Sequence, residues 1–161
     1  MPEVTPICQF GAKASHFKLQ GTDEKVYTLD HFKGKNGTLI MFICNHCPYV
    51  KGVINRLVKD IEKIQKIDIG CVAIMSNDVE KYPADSFENM KIFATKNNFT
   101  FPYLIDDTQK VAKDYGAVCT PDFFGFNNKL ELQYRGRLDN SGISGEELTE
   151  KELLNAMNQI A

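Results

Sequence analysis

The stretch TLIMFICNHCPYV, residues 38–50, decides the fold of this 161-residue chain. Its first six residues, 38–43, form a continuous apolar run, which is typical of a strand covered on both faces in a parallel sheet. Apolar residues then recur at helical spacing from Val50 to Ile64. Pro48 suits the first turn of such a helix because its missing N–H is not needed there. The stretch therefore predicts a strand, a pair of cysteines and an amphipathic helix, in that order.

The flanking segments extend this unit into an α/β fold. Residues 67–75 predict a second buried strand, which completes a βαβ unit that we expect to be right-handed. The other predicted elements are a hairpin over residues 17–27, a helix over 86–97, a strand over 101–105, a helix over 109–115, antiparallel strands over 123–126 and 130–134, and a terminal helix whose capping box would be Thr149 and Glu152. Residues 77–86 are polar and predict a long loop. We expect one domain over residues 1–161, with a central mixed sheet and helices on both faces.

Composition excludes several classes of protein. The 19 basic and 21 acidic residues leave no basic excess to attract nucleic acid. The longest purely apolar run, residues 39–44, is too short to span a bilayer, and residues 1–11 lack the pattern of a signal peptide. Five cysteines are an odd number and too sparse for a secreted disulfide framework. We therefore expect a cytoplasmic protein without membrane or nucleic-acid partners.

Cys44 and Cys47 form a C-x-x-C pair at the junction of the predicted strand and helix. The free N–H groups and dipole of a helix start favour thiolate over thiol, and an imidazolium at His46 would stabilise a thiolate further. The spacing lets one thiol attack a disulfide and the other resolve the product. We expect Cys44, at the helix mouth, to attack, and Cys47, one turn in and more buried, to resolve. Such chemistry needs no dissociable cofactor, and its electrons would come from a thiol donor.

Other interpretations of these residues stay open. A single C-x-x-C can be half of a zinc site or an inert reduced pair, and His46 can be a solvated residue at a helix start. Cys119 could be a third thiol or a metal ligand, although a small buried side chain is the favoured interpretation. Cys71 lies in a predicted buried strand and is expected in the core, whereas nothing decides the role of Cys8.

Three motifs resemble the AhpC/TSA (redoxin) family, in its peroxiredoxin-like branch with a C-x-x-C. They are residues 44–50, residues 119–122 (Cys-Thr-Pro-Asp) and residues 134–139, and the resemblance extends from about residue 17 to residue 160. It implies a thioredoxin-like fold with an N-terminal hairpin. It also implies a cis peptide bond between Thr120 and Pro121, in a loop that packs beside the cysteine pair and binds the substrate.

The chain departs from true peroxiredoxins at the residues that activate the peroxidatic cysteine. Those enzymes carry Pro-x-x-x-Thr/Ser-x-x-Cys, but counting back from Cys47 places Ile40 and Cys44 at the first two positions. Counting back from Cys44 places Gly37 and Met41 there. The family's activating arginine is also missing from its usual place. Arg135 and Arg137 are candidate replacements that we expect to face solvent.

Three functions follow in order of preference. The first is a thiol–disulfide oxidoreductase acting on protein or small-molecule disulfides through Cys44, Cys47 and His46, with Thr120 and Pro121 presenting the substrate. The second is an antioxidant thiol peroxidase that reduces peroxides through a sulfenic acid. The third is a copper- or zinc-binding module that uses the cysteine pair with His46 or Cys119.

Overall fold

The computed structural model describes residues 10–117, 120–141 and 150–161. Strands β1 to β7 span Lys18–Gly21, Val26–Thr28, Gly37–Phe42, Ile69–Met75, Tyr103–Ile105, Asp122–Phe126 and Leu132–Gly136. Helices α1 to α4 span Pro48–Gln65, Phe87–Lys96, Lys110–Tyr115 and Glu152–Ile160, and short 3-10 helices cover Leu29–Phe32 and Pro83–Asp85. Within these described ranges, no helix has both the length and the apolar character that crossing a membrane requires.

The seven strands form one mixed sheet in the order β2-β1-β5-β4-β3-β6-β7. Strands β3, β4 and β5 are parallel to one another, and every other pairing in the sheet is antiparallel. The predicted mixed sheet and N-terminal hairpin are therefore confirmed. Because β3 lies between β4 and β6, its carboxyl end opens at the middle of a sheet edge, where ligands bind in open α/β sheets.

Strand β3 is buried along its whole length because both faces of the sheet are covered. Leu39 and Met41 point into a core that contains α1 and parts of α2 and α4. Ile40 and Phe42 point into a second core with α3 and the Leu29–Phe32 helix. The continuous apolar run in the sequence is thus explained by helices on both faces of the sheet.

Helix α1 packs one apolar face onto the sheet. Its fully or nearly fully buried apolar residues are Val50, Val53, Ile54, Leu57, Val58, Ile61 and Ile64. Helix α4 packs beside it through Leu153 and Met157, which belong to the same core. Removing from water the side chains of such residues stabilises the fold by about 1.5–3 kcal/mol each. This burial anchors the start of α1 against the end of β3.

Two local predictions are wrong. Helix α4 begins at Glu152 with Lys151 as its N-cap, so Glu152 is not the third helical residue of a capping box. Thr149, the expected cap, lies outside the described residues. The polar segment 77–86 is not only a loop, because it contains the Pro83–Asp85 helix and buries Asp85 completely. Its polar composition suggested exposure, but Asp85 accepts hydrogen bonds that compensate its burial.

A pair of ionic contacts joins α1 to residues that follow β7 in the chain. We call this group the helix brace: Arg56 and Asp60 of α1, Asp139, and Lys151. Arg56 Nε and a terminal nitrogen donate to Asp139 at 2.9 and 3.2 Å, and Lys151 Nζ donates to Asp60 at 2.8 Å. Burial alone would raise the pKa of Asp139, but the Arg56 guanidinium and the Ser141 N–H outweigh it and hold that pKa below its usual value. The brace thus ties the chain around Asp139 and Lys151 to α1.

Candidate active site

The two cysteines occupy different positions from those we expected. Cys47 is the N-cap residue of α1, and Pro48 is the first helical residue, so the helix mouth lies at the second cysteine. Cys44 lies two residues after β3 and is only 1% exposed, whereas Cys47 is partly exposed. The prediction that Cys47 would be the more buried thiol is therefore wrong. The reason is that β3 ends at Phe42 and α1 begins only at Pro48, so Cys44 lies in the buried segment that directly follows the strand.

The environment of Cys44 disfavours its thiolate. Burial raises the pKa of the Cys44 thiol, and the Asp85 carboxylate raises it further. The Thr120 hydroxyl and the Cys47 backbone N–H lower it, but they do not offset the burial. The pKa is therefore raised, contrary to the expectation that the helix start and His46 would lower it at Cys44.

The loop at Thr120 and Pro121 lies against both sulfur atoms. Its peptide bond is cis, as the family resemblance implies. Thr120 Oγ1 lies 3.5 Å from Cys44 Sγ, and Cys47 Sγ donates to the Thr120 carbonyl oxygen over 3.7 Å. Both cysteines are free thiols. One residue of this loop thus contacts both members of the pair, while Cys119, the suggested third thiol, lies outside the described residues.

Asp85 is a site residue that sequence reasoning missed. Its side chain is fully buried beside the C-x-x-C segment. The backbone N–H groups of Asn45 and His46 donate to Oδ1 at 2.7 and 3.2 Å. Asn77 Nδ2 donates to Oδ2 at 2.9 Å, and the His46 ring donates to the same oxygen through Nδ1. These four donors compensate the cost of burying the carboxylate. The hydrogen bond from Nδ1 also fixes the orientation of the His46 ring.

The two residues between the cysteines serve to hold this arrangement. Asn45 is buried, donates to the carbonyl oxygen of Ala84 at 3.1 Å and accepts from the Tyr103 hydroxyl at 2.8 Å. The His46 ring stacks on Tyr82, with ring centroids 4.8 Å apart and an interplanar angle of 11°. His46 is thus not a free solvated residue, and contacts with the thiols do not set the orientation of its ring. Its position is set by Asp85 and Tyr82.

A partial signal for this part of the site existed in the sequence. The end of β4 lies at the same sheet edge as the end of β3, since the two strands are parallel neighbours. Asn77 follows β4 and reaches Asp85, while Asp78 caps a local turn by accepting from the Glu80 N–H at 3.0 Å. The polar residues that follow β4 therefore indicated the correct sheet edge, but nothing in their spacing identified Asp85 as a site residue.

The two arginines of the β7 region behave differently from each other. Arg137 is exposed, as predicted, and pairs with Glu152 at 2.7 Å. Arg135 is only 5% exposed and donates to Asp122 at 2.9 Å, with its guanidinium over the Phe124 ring. The expectation that Arg135 faces solvent is wrong because the buried Asp122 carboxylate holds it inward.

Comparison with known proteins supports the fold and identifies a family match. Residues 10–136 match the AhpC/TSA family. The crystal structure of an uncharacterised conserved protein from Geobacillus kaustophilus shares 42% identity, with coverage of 99% of this chain and 87% of that chain, at a TM-score of 0.90. A hypothetical protein from Sinorhizobium meliloti shares 33% identity, with coverage of 96% and 85%, also at 0.90. No curated protein matches the chain.

A more distant likeness identifies the fold. The thioredoxin domain of a thiol-disulfide oxidoreductase from Bacteroides vulgatus shares 15% identity, with coverage of 95% of this chain and 98% of that chain, at a TM-score of 0.72. At this identity the likeness concerns the fold alone. The thioredoxin-like fold that the sequence motifs implied is confirmed.

Proposed function

The chain belongs to the AhpC/TSA family, and from that premise we propose that it is an oxidoreductase that exchanges thiols and disulfides through Cys44 and Cys47. One observation carries the proposal: Thr120 contacts both sulfurs, at 3.5 and 3.7 Å, at the point where β3 passes into α1. The description of the Bacteroides vulgatus neighbour as a thiol-disulfide oxidoreductase supports it. The substrates would be protein or small-molecule disulfides.

The exposures of the two thiols favour Cys47 as the attacking residue. Cys47 is partly exposed at the N-cap of α1, so a substrate disulfide can approach its sulfur. Cys44 is 1% exposed, so a substrate disulfide reaches it less easily. These roles reverse the ones proposed from the sequence, where Cys44 was the attacking thiol.

The reaction balances with two electrons and two protons. The Cys47 thiolate bonds to one substrate sulfur and breaks the substrate disulfide, which releases the other sulfur as a thiolate. Cys44 then loses its proton and bonds to Cys47 Sγ, which releases the second substrate thiol. The protein is left with a Cys44–Cys47 disulfide, and a thiol donor must reduce it for the next cycle. No dissociable cofactor takes part.

The Thr120–Pro121 loop is proposed to present the substrate. It lies against both sulfurs, so a disulfide that bonds to Cys47 would lie close to it. The carbonyl oxygen of Thr120 already accepts from the Cys47 thiol. When that thiol ionises, the carbonyl is released to bind a substrate N–H.

Single-cysteine variants test the proposal. Reduced Cys44→Ser is expected to accumulate a mixed disulfide with a chromogenic aromatic disulfide at Cys47, located by peptide mass spectrometry. Cys47→Ser is expected to form this adduct at least tenfold more slowly, and neither variant should turn over. Cys71→Ala is the matched control, because Cys71 is buried in β4 and should leave turnover unchanged.

Other outcomes are equally informative. Rapid trapping at Cys44 in Cys47→Ser would restore the roles proposed from the sequence. Full turnover in both single variants would contradict thiol exchange by this pair.

A thiol peroxidase is the second candidate, favoured by the family match and by a partly exposed cysteine at a helix start. Cys47 would take one oxygen from a hydroperoxide, releasing an alcohol, and Cys44 would displace water from the resulting sulfenic acid. The missing Thr/Ser and Pro of the peroxidatic pattern argue against it. Peroxide consumption by the reduced protein, measured beside disulfide reduction, separates the two activities.

A further inference from the structure

One member of the thiol pair belongs to a cluster of three different potential metal ligands. Cys44, His46 and Asp85 each offer one ligand atom, and these atoms all lie within 4.8 Å of one another. We propose that the reduced protein binds a zinc ion through Cys44 Sγ, His46 Nδ1 and Asp85 Oδ2. This set differs from the cysteine-pair site considered from the sequence, since Asp85 takes the place of Cys47.

The donor set suits zinc. Thiolate, imidazole and carboxylate are the three zinc ligands used in proteins, with bonds of about 2.0–2.3 Å. Tetrahedral bonds of those lengths place ligand atoms about 3.3–3.6 Å apart. Cys44 Sγ must therefore move closer to the other two atoms, which lie within 4.8 Å of it, while His46 Nδ1 and Asp85 Oδ2 must separate from their direct hydrogen bond to admit the ion. Three protein ligands leave a fourth position for water or a substrate group, as in zinc sites that react rather than only stabilise.

The surroundings already hold the ligands in place. Asp85 Oδ1 is fixed by the backbone N–H groups of Asn45 and His46, which leaves Oδ2 directed at the His46 ring. Asn77 donates to Oδ2, and Tyr82 stacks on the imidazole. Such outer contacts orient ligands, and their loss typically lowers metal affinity by 10- to 100-fold. The burial of Cys44 and Asp85 limits how far either ligand can turn away.

Binding requires a simple exchange of protons. The thiol of Cys44 gives up its proton to solvent and bonds to zinc as a thiolate. The proton on His46 Nδ1 is replaced by the metal, while Nε2 carries the ring proton instead. The side chain of His46 is 33% exposed, so solvent can mediate this transfer.

The site exists only in the reduced protein, because a sulfur in a disulfide cannot act as a thiolate ligand. If the proposed function holds, zinc and the Cys44–Cys47 disulfide exclude each other. Zinc would then hold the resolving thiol and stop turnover, and oxidation of the pair would release the ion. This consequence rests on the proposed function, whereas the zinc site itself does not.

The test titrates metal into the reduced full chain without any disulfide substrate. Co²⁺ reports ligation directly, because a tetrahedral cobalt thiolate has a near-ultraviolet charge-transfer band and visible ligand-field bands. Competition with a chromophoric chelator then measures Zn²⁺ affinity. We expect one ion per chain, with loss of the thiolate band in Cys44→Ser and at least tenfold weaker binding in Asp85→Asn and His46→Phe.

Two variants serve as controls. Asp78→Asn changes a carboxylate of the same segment that only caps a local turn, and it should bind as the parent does. Cys47→Ser should keep zinc binding while losing disulfide exchange, so failure of the metal site and failure of the proposed function are distinguished. Circular dichroism verifies that each variant is folded, and Asn77→Ala should weaken binding without removing a ligand.

Clear results would overturn the site. Absence of a thiolate band in the reduced parent would do so, as would parent-like affinity in Asp85→Asn. Loss of binding in Cys47→Ser would instead assign the metal to the cysteine pair and contradict the ligand set proposed here.

Discussion

Buried carboxylates lie against helix α1 at two places, and their partners differ. At its start, Asp85 is held by backbone N–H groups, the Asn77 amide and His46. In the helix brace, Asp139 and Asp60 are held by Arg56 and Lys151. Asp85 is fully buried and Asp139 is 1% exposed, so burial does not distinguish the two places.

The two places differ in whether the group that donates to the carboxylate can change the position of its proton. Arginine stays protonated under all ordinary conditions, so a carboxylate beside it keeps one state. The other donors to Asp85 are neutral, and an imidazole ring such as that of His46 can carry its proton on either nitrogen. The brace therefore keeps fixed charges in contact, whereas the hydrogen bond between His46 and Asp85 at the helix start can be rearranged by a change of tautomer or by the proposed metal ion.

The largest expected effect comes from breaking the brace. Asp139→Asn removes the buried carboxylate charge that the Arg56 guanidinium contacts, which should lower the free energy of unfolding by about 2–4 kcal/mol. Urea denaturation at neutral pH measures this change. Trapping of the mixed disulfide at Cys47 should be unchanged in the folded variant.

A double-mutant cycle with Arg56→Met isolates the pair. The second change should cost much less in the Asp139→Asn background than in the parent, since the interaction is already lost. Strict additivity of the two changes would show that the pair contributes nothing as a pair and would weaken the contrast with Asp85.

Acid should remove the same stabilisation gradually. The pKa of Asp139 is lowered in the folded protein, against about 3.9 for an unperturbed aspartate, so its contribution is present above that value. It is lost as the pH falls through the folded-state pKa. Urea midpoints between about pH 6 and pH 3 should therefore decline more steeply in the parent than in Asp139→Asn. Parallel declines would contradict the assigned direction.

The smallest expected effect is the loss of stability caused by a substitution in the candidate active site. Asp85→Asn keeps an oxygen for the backbone N–H groups. His46 can adopt the tautomer that accepts from the new amide, and Asn77, which donates to Oδ2 in the parent, can rotate its side-chain amide to present its oxygen. We expect a loss of about 1 kcal/mol in the free energy of unfolding, less than for Asp139→Asn. Urea denaturation of both variants under one set of conditions makes the comparison. An equal or larger loss at Asp85 would mean that this carboxylate is a structural brace like Asp139.

Local pattern was sufficient for much of the fold and part of the site. The apolar run at residues 38–43 and the helical spacing after it predicted β3 and α1 to within one residue at their shared junction. Family resemblance then implied the loop at Thr120 and Pro121, which the structure brings against both sulfurs. These features depend on short-range periodicity or on a motif, and both are visible in one sequence.

The exposures of the cysteines could not be predicted in the same way. The exposures depend on where α1 begins relative to the end of β3. Because the two thiols are three residues apart, a helix that began three residues earlier would place Cys44 instead of Cys47 at its N-cap. Arg135 shows the same limit. Its polarity predicted solvent, but Asp122 on the adjacent strand β6 makes its burial favourable.

The amino-acid sequence by itself determined the order of strands and helices and the presence of two thiols at a strand-to-helix junction. It did so because a helix or strand that buries one face, or a strand that buries both, requires apolar residues at a characteristic spacing in the sequence. Only the tertiary structure decided which thiol is the more exposed, and it alone brought Asp85, separated from His46 by 38 intervening residues, into the cluster. The physical reason is that a buried carboxylate is stabilised by the donors that folding brings to it, and these come from distant parts of the chain.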